Sequence, residues 1–247
     1  MKYAILAAGE GSRLADEGIK LPKPLVPVNG EPMIDRLVRI FMSCGAEEIF
    51  IITNNLTDLT KNHLAELVEQ GVPLRFIVKT TPSSMHSFYE LMPLIGTGKF
   101  CLTTVDTIFR EVEFRRYIKA FEQDGHDGLM AVTDYVDDEK PLWVSTDEEH
   151  RITGFHDSLE DFKASELTSQ DPASDCKYVS GGIYCLDHKC FPTLEACIDR
   201  GQSRMRNFQR QLVADGLRLQ AYPFSMILDV DHAADIVQAE KFLNSVE

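Results

Sequence analysis

Lys2-Tyr3-Ala4-Ile5-Leu6-Ala7-Ala8-Gly9-Glu10-Gly11-Ser12-Arg13-Leu14 is the stretch from which the fold is read. Residues 2–7 form a short apolar run that predicts a buried strand. The run empties into a small glycine-bearing loop, which presents backbone N–H groups to whatever lies above it. Gly9 and Gly11 admit positive φ and close backbone approach. Successive N–H groups can then hold phosphate oxygens. Arg13 adds a planar fork of donors suited to phosphate. Lys23, in Pro22-Lys23-Pro24, adds a second and more mobile cation. The other reading of the loop is a plain chain turn. Glycines, arginine and lysine together favour a cradle for a nucleoside triphosphate.

Two common phosphate loops are excluded. The dinucleotide fingerprint needs a third glycine where this chain has Leu14. The Walker loop ends in Gly-Lys-Ser/Thr, and no such tripeptide follows Gly11. A dinucleotide-dependent oxidoreductase is therefore not expected.

Working outward, strands and helices alternate. Strands are expected at 2–7, 49–53, 74–78, 100–105 and 128–133, and helices from Pro32 and over 56–70, 84–95 and 112–123. Residues 14–27 read as loop. This rhythm predicts an α/β fold with a mainly parallel sheet covered by helices. Ligands of such sheets bind beyond the carboxyl ends of the strands. The second half looks more antiparallel, with strands at 142–145, 151–155 and 179–186. Residues 157–175 are polar and acidic and read as an excursion or mobile lid or, the favoured reading, as a solvated surface loop. A helix at 206–214, strands at 219–223 and 226–230 and a helix from Ala233 to Leu243 complete the chain.

The 247 residues suffice for one large domain, and 44% hydrophobic content is ordinary for a globular protein. No apolar run reaches the roughly 18 residues that a membrane span needs. A strand beginning by the third residue leaves no room for a signal peptide, so a cytoplasmic location is the expectation. The six cysteines contain no C-x-x-C pair and read as reduced thiols. A formal charge of −14 argues against a polynucleotide partner. Small phosphorylated substrates remain compatible, because local cations and a metal can offset the field.

Two carboxylate sets carry the remaining chemistry. Asp106 ends the run Phe100-Cys101-Leu102-Thr103-Thr104-Val105. A carboxylate at a strand tip beside a phosphate loop suits a hard cation such as Mg2+, which takes one or two carboxylates plus substrate phosphates. Asp229 and Asp231 stand two apart at another strand end, on one side of it. One of them is a candidate metal ligand and the other a helix cap. Each aspartate also has a plain reading as a cap or turn residue. Trp143 reads as packing.

The string L-A-A-G-E-G-S-R-L…P-K-P resembles the signature of the nucleotidyltransferase family that makes nucleotide sugars and related activated alcohols. The ending Asp229-Val230-Asp231-His232-Ala233-Ala234-Asp235 is similar to that family's C-terminal pattern, with His232 in place of a threonine. The resemblance spans residues 3 to about 244. It implies a single Rossmann-like three-layer domain of the nucleotide-diphospho-sugar transferase type. Residues 1–135 would bind nucleotide and 136–247 the acceptor. Ala7, Ala8, Gly9, Glu10, Gly11, Ser12 and Arg13 would wrap the triphosphate, and Lys79, Ser83 and Ser84 the base side. Lys23 and Arg13 would be catalytic. Asp106 and Asp229 would hold Mg2+, while Asp231 and Asp235 would belong to the turn and helix start. Ser180-Gly181-Gly182-Ile183-Tyr184 resembles the family strand whose glycine makes room for the acceptor; a bulge at Gly182 is the equal alternative. The family's E-K-P triplet is absent, leaving His156, Lys163 and Lys177 as candidates for the acceptor phosphate.

The implied activity is transfer of a nucleoside monophosphate to a phosphorylated acceptor, foremost a sugar 1-phosphate, with release of pyrophosphate. Ser84-Met85-His86-Ser87-Phe88-Tyr89-Glu90-Leu91 resembles phosphocholine cytidylyltransferases, so a CTP-dependent enzyme for an alcohol phosphate is the alternative. A non-catalytic nucleotide-binding regulator is the alternative from another class. Oligomeric state stays open, a homo-oligomer included.

Overall fold

Strand β1 (Lys2–Ala7) sets the architecture because both of its faces are apolar. Tyr3, Ile5 and Ala7 point into one core, and Ala4 and Leu6 into another. Side chains alternate across a strand, so a strand buried on both faces reads as a continuous apolar run. The computed structural model describes residues 1–123, 125–137, 139–167 and 175–245.

After β1 come α1 (Ser12–Asp16), a 3-10 turn over Lys23–Leu25, and the small hairpin β2 (Pro27–Val28) and β3 (Glu31–Pro32). α2 (Met33–Ser43), β4 (Glu48–Thr53), α3 (Asp58–Glu69), β5 (Leu74–Val78), α4 (Ser84–Ile95) and β6 (Lys99–Thr104) continue the alternation. β5, β4, β1 and β6 lie side by side and parallel. β7 (Thr107–Ile108), α5 (Glu111–Gln123) and β8 (Gly128–Thr133) follow. The second half contributes β9 (Trp143–Thr146), β10 (Ile152–His156), α6 (Leu159–Glu166), β11 (Asp175–Asp187), α7 (Phe191–Asp199), α8 (Met205–Ala214), β12 (Leu219–Phe224), β13 (Leu228–Asp229) and α9 (Ala233–Asn244). β11 runs antiparallel to β6, β8 and β9 and joins both halves into one nine-stranded sheet. The fold is a Rossmann-like α/β sandwich with a mixed, mostly parallel sheet.

α2 and α5 cover one face through Ile34, Leu37, Phe41, Phe114 and Tyr117, and α4, α7 and α8 cover the other through Phe88, Leu91, Leu194 and Phe208. A third apolar cluster matters most for the site. Leu14, Val26, Val28, Ile108, Leu228 and Val230 pack together with Ala239 and Phe242 of α9. Nearly every charged residue of the site is close in sequence to a member of this cluster. The two-residue pairing of β13 with β7 brings Asp229 opposite Thr107, and Val230 N–H donates to the Asp106 carbonyl at 3.1 Å.

Several sequence expectations need correction. Residues 14–27 are not all loop, because α1 runs into them as far as Asp16 and the 3-10 turn lies within them. Pro32 precedes α2 rather than standing in its first turn. The polar 157–175 stretch contains α6, capped by Ser158, whose Oγ accepts from Asp161 N–H at 3.1 Å; residues 168–174 lie outside the described part. α7 was not expected, although Pro192 in its first turn and the spacing of Leu194 and Cys197 signal it. All six cysteines are free thiols.

Candidate active site

Lys23 is the hub of the cleft. Its Nζ lies 2.5 Å from Asp106 Oδ2 and 2.5 Å from Asp231 Oδ1, and its side chain is 9% exposed. Burial opposes the ammonium charge, but the two carboxylates outweigh it and hold Lys23 above the usual lysine range. Asp231 also accepts from Arg13, whose Nη1 donates to Oδ2 at 2.8 Å. Burial alone would raise Asp231; Lys23 and then Arg13 pull it below the usual carboxylate range.

Local sequence explains why the loop can sit so close. Gly11 has φ 65°, a left-handed conformation, and a Cβ placed there would lie 2.9 Å from Lys23 Cβ. Only glycine meets both conditions without strain. Gly9 is different, since a Cβ there would meet no atom within 4 Å. Its bareness keeps the backbone open above the cleft. Asn54, 8% exposed at the end of β4, donates Nδ2 to the Gly9 carbonyl at 2.9 Å and pins the loop to the sheet.

The main cavity has a volume of about 470 Å³ and is walled by the 8–13 loop, Lys23, residues 80–84, Ser87, Asp106 and Asp231. Ala8, Gly9, Glu10, Gly11, Ser12, Arg13, Ser83 and Ser84 thus border it, as the sequence suggests. Ser83 is the N-cap of α4 and its Oγ lies 2.9 Å from His86 Nδ1. A smaller cavity of about 130 Å³ opens on the far side of the Arg13–Asp231 pair, which borders both; Tyr135, Gly181, Asp229 and Gln238 line it.

Other residues singled out from sequence lie elsewhere. Ala7 is buried in the core with 1% exposure. Lys79 turns away to Glu90 of α4, 2.7 Å distant. Lys177 pairs with Asp175 at 3.1 Å and lies over the Tyr178 ring. Gly182 has φ 72° within a register shift of β11 against β8, which is the bulge alternative. The glycine that approaches the smaller cavity is Gly181, where a Cβ would lie 2.2 Å from Ile227 Cδ1. Asp231 is no helix cap: Asp235 Oδ2 accepts from Asp231 N–H at 2.9 Å and His232 N–H at 2.6 Å. Glu17 was missed, yet it ties α1 to α9. Its carboxylate accepts Ala233 N–H at 2.6 Å and lies 2.6 Å from His232 Nδ1.

The donor set fits a hard divalent cation. Asp106 Oδ1 is buried with no hydrogen-bond partner, while its other oxygen meets Lys23. Buried carboxylate oxygens are normally satisfied. Asp229 sits on the strand paired with the segment directly after Asp106. Oxygen donors in this number suit a cation that takes its remaining ligands from phosphates and water.

Glucose-1-phosphate thymidylyltransferase of Neisseria gonorrhoeae is 25% identical over 254 positions, covering 100% of this chain and 84% of the relative. The crystal structure of a candidate glucose-1-phosphate thymidylyltransferase from Bacillus anthracis superposes with a TM-score of 0.79 at 22% identity, covering 100% of this chain and 96% of that one. The inositol-1-phosphate CTP transferase of T. maritima gives 0.76 at 19%, covering 100% and 97%. These two likenesses establish the fold. The model of the MobA-like NTP transferase domain matches residues 3–216. With that match over most of its length, the chain belongs to the family of MobA-like NTP transferase domains and is a nucleotidyltransferase.

Proposed function

We propose that this chain moves a nucleoside monophosphate from a nucleoside triphosphate to a sugar 1-phosphate and releases pyrophosphate. One observation carries the reading: a buried lysine held between Asp106 and Asp231 beneath a bare, glycine-bearing loop. A relative named for glucose 1-phosphate supports the acceptor class. An acceptor phosphate oxygen attacks the α-phosphorus, the new P–O bond forms, and the bond to pyrophosphate breaks. The attacking oxygen is ionised at neutral pH, so no covalent enzyme intermediate is required. Catalysis is then positioning and electrostatics.

In this reading the amides of residues 8–13 hold the triphosphate. Lys23 and Arg13 exchange their contacts with Asp231 for phosphate oxygens and stabilise the charge that develops there. Asp106 and Asp229 would hold a divalent cation, Mg2+ in our reading, which when bound neutralises phosphate charge. Residues 1–135 serve the nucleotide and 136–247 the acceptor, which enters by the smaller cavity beside Gly181 and Tyr135. The cellular site is the cytoplasm.

A second reading, CTP-dependent transfer to an alcohol phosphate such as phosphocholine, is supported by the Ser84–Leu91 run and by the likeness to a CTP transferase. Pyrophosphate release with Mg2+ separates the two. UTP, GTP or dTTP with a sugar 1-phosphate is the expected productive pair. Release only with CTP and phosphocholine would replace it by the second reading. Triphosphate binding without release from any acceptor would overturn both.

A further inference from the structure

A cavity of about 360 Å³ opens away from the triphosphate cleft, between the β2–β3 hairpin, α2, the start of α5 and the end of α9. Its size is at the lower end for small-molecule sites. Arg36, Arg39 and Arg110 line it, in a chain whose formal charge is −14. Arg39 is already neutralised, with Glu31 and Glu111 each 2.8 Å away.

The other two arginines are not. Arg36 is 3% exposed; its Nη2 donates to the Phe109 carbonyl at 2.5 Å, and its Nη1 is buried with no hydrogen-bond partner. Burial lowers its pKa to about 10 against the opposing pull of Glu111. Arg110 donates to the Ser245 carbonyl at 3.1 Å and the Ser245 hydroxyl at 2.9 Å, both neutral groups. Among the described residues, no carboxylate is ion-paired with Arg36 or Arg110. A buried, charged donor is stabilised by an accepting oxygen. Buried Arg36 and half-buried Arg110 both line this one cavity. The wall also includes Glu111 and Val112 of the first turn of α5, where Glu111 and Glu113 already answer the helix dipole.

We propose that this cavity binds a small phosphate-bearing anion, with the guanidiniums of Arg36 and Arg110 as its counter-charges. The lining carries three arginines against the two glutamates Glu31 and Glu111, an excess of positive charge that favours an anion such as a phosphoryl group, which carries about −1.5 to −2 charge at neutral pH. The planar fork of each arginine suits phosphate oxygens better than an ammonium would. The cavity is also coupled by short chain segments to the cleft. Val28 follows the Lys23–Leu25 turn, and Arg110 follows Asp106 through β7. An anion bound here therefore acts on both ends of the Lys23–Asp106 pair and changes triphosphate affinity. This coupling rests on the transfer reading above; the binding does not.

Calorimetric titration of inorganic phosphate into the full chain at low salt tests the binding without any turnover. Binding is expected in the unaltered chain and in Lys23→Ala, and is expected about tenfold weaker in Arg110→Gln. Arg36 is too buried for its substitution to be safe for the fold, so half-buried Arg110 carries the test. Binding lost in Lys23→Ala but unchanged in Arg110→Gln would assign the phosphate to the cleft and overturn the proposal. No binding to the unaltered chain would overturn it too. Once a productive substrate pair is known, phosphate should shift KM for the triphosphate in the unaltered chain and not in Arg110→Gln. Equal shifts in both would overturn the coupling.

Discussion

Two glycines in one loop have different duties, and their substitutions should separate. Gly11→Ala forces a left-handed Cβ against Lys23, so stability should fall by about 1–2 kcal/mol and triphosphate KM should rise. Gly9→Ala meets no neighbour, so its denaturation midpoint should stay put while KM rises. A stable Gly11→Ala with normal KM would remove the argument from close approach. Lys23→Ala leaves Asp106 and Asp231 without their shared cation. Asp231 is 43% exposed and can turn toward water, which limits the stability loss to about 1–3 kcal/mol. Turnover should drop by about 100-fold or more, as for loss of a charge-stabilising donor. Unchanged turnover in a variant shown to be folded by circular dichroism sinks the catalytic role.

Between elements, the Glu17–His232 contact acts as a clasp from α1 to the start of α9. The hydrogen bond that His232 donates to Glu17 raises its pKa above the usual 6.5. Ala233 N–H, then His232, lower Glu17 below its usual 4.5. The signs are opposite. A histidine with a raised folded pKa stabilises fully below 6.5 and loses that contribution as pH rises through the folded value. A glutamate with a depressed folded pKa stabilises fully above 4.5 and loses it as pH falls through the folded value. The clasp is therefore strongest between those two ordinary values. Urea midpoints of the unaltered chain and of His232→Thr should differ most at about pH 5.5 and converge by about pH 9. A gap that is constant with pH would mean that protonation of His232 does not hold the clasp.

At the scale of the whole molecule, β11 decides cooperativity. It pairs with β6 of the first half and with β8 and β9 beyond, so neither half has a complete sheet alone. The proposed nucleotide and acceptor parts would then belong to one folding unit. Urea unfolding should be a single transition. Trp143, the sole tryptophan, reports on β9 in the second half, while far-ultraviolet circular dichroism reports on the whole chain. Coincident midpoints are expected. An earlier tryptophan transition would show that the second half unfolds by itself.

Much of this was legible in the sequence, and the reason is periodicity. The two-sided apolar run of β1, the glycine loop after it and the α/β alternation are local patterns, because burial of a face is written in residues a few positions apart. The placing of the Gly9–Arg13 loop and of Asp106 at strand ends follows from such patterns. The acidic 157–175 stretch hid a helix because α6 buries little apolar surface and so leaves a weak period. The tertiary structure alone decided which charges meet. Asp229 and Asp231 look alike in sequence, yet only Asp231 takes Lys23 and Arg13, because β13 pairs with β7 and α9 packs beneath the loop. Lys79 faces Glu90 for the same kind of reason. The cavity of Arg36, Arg39 and Arg110 has no sequence signature, since its residues converge only after α2, α5 and α9 have docked. Local pattern determines which faces are buried; long-range packing determines which side chains share the space that remains.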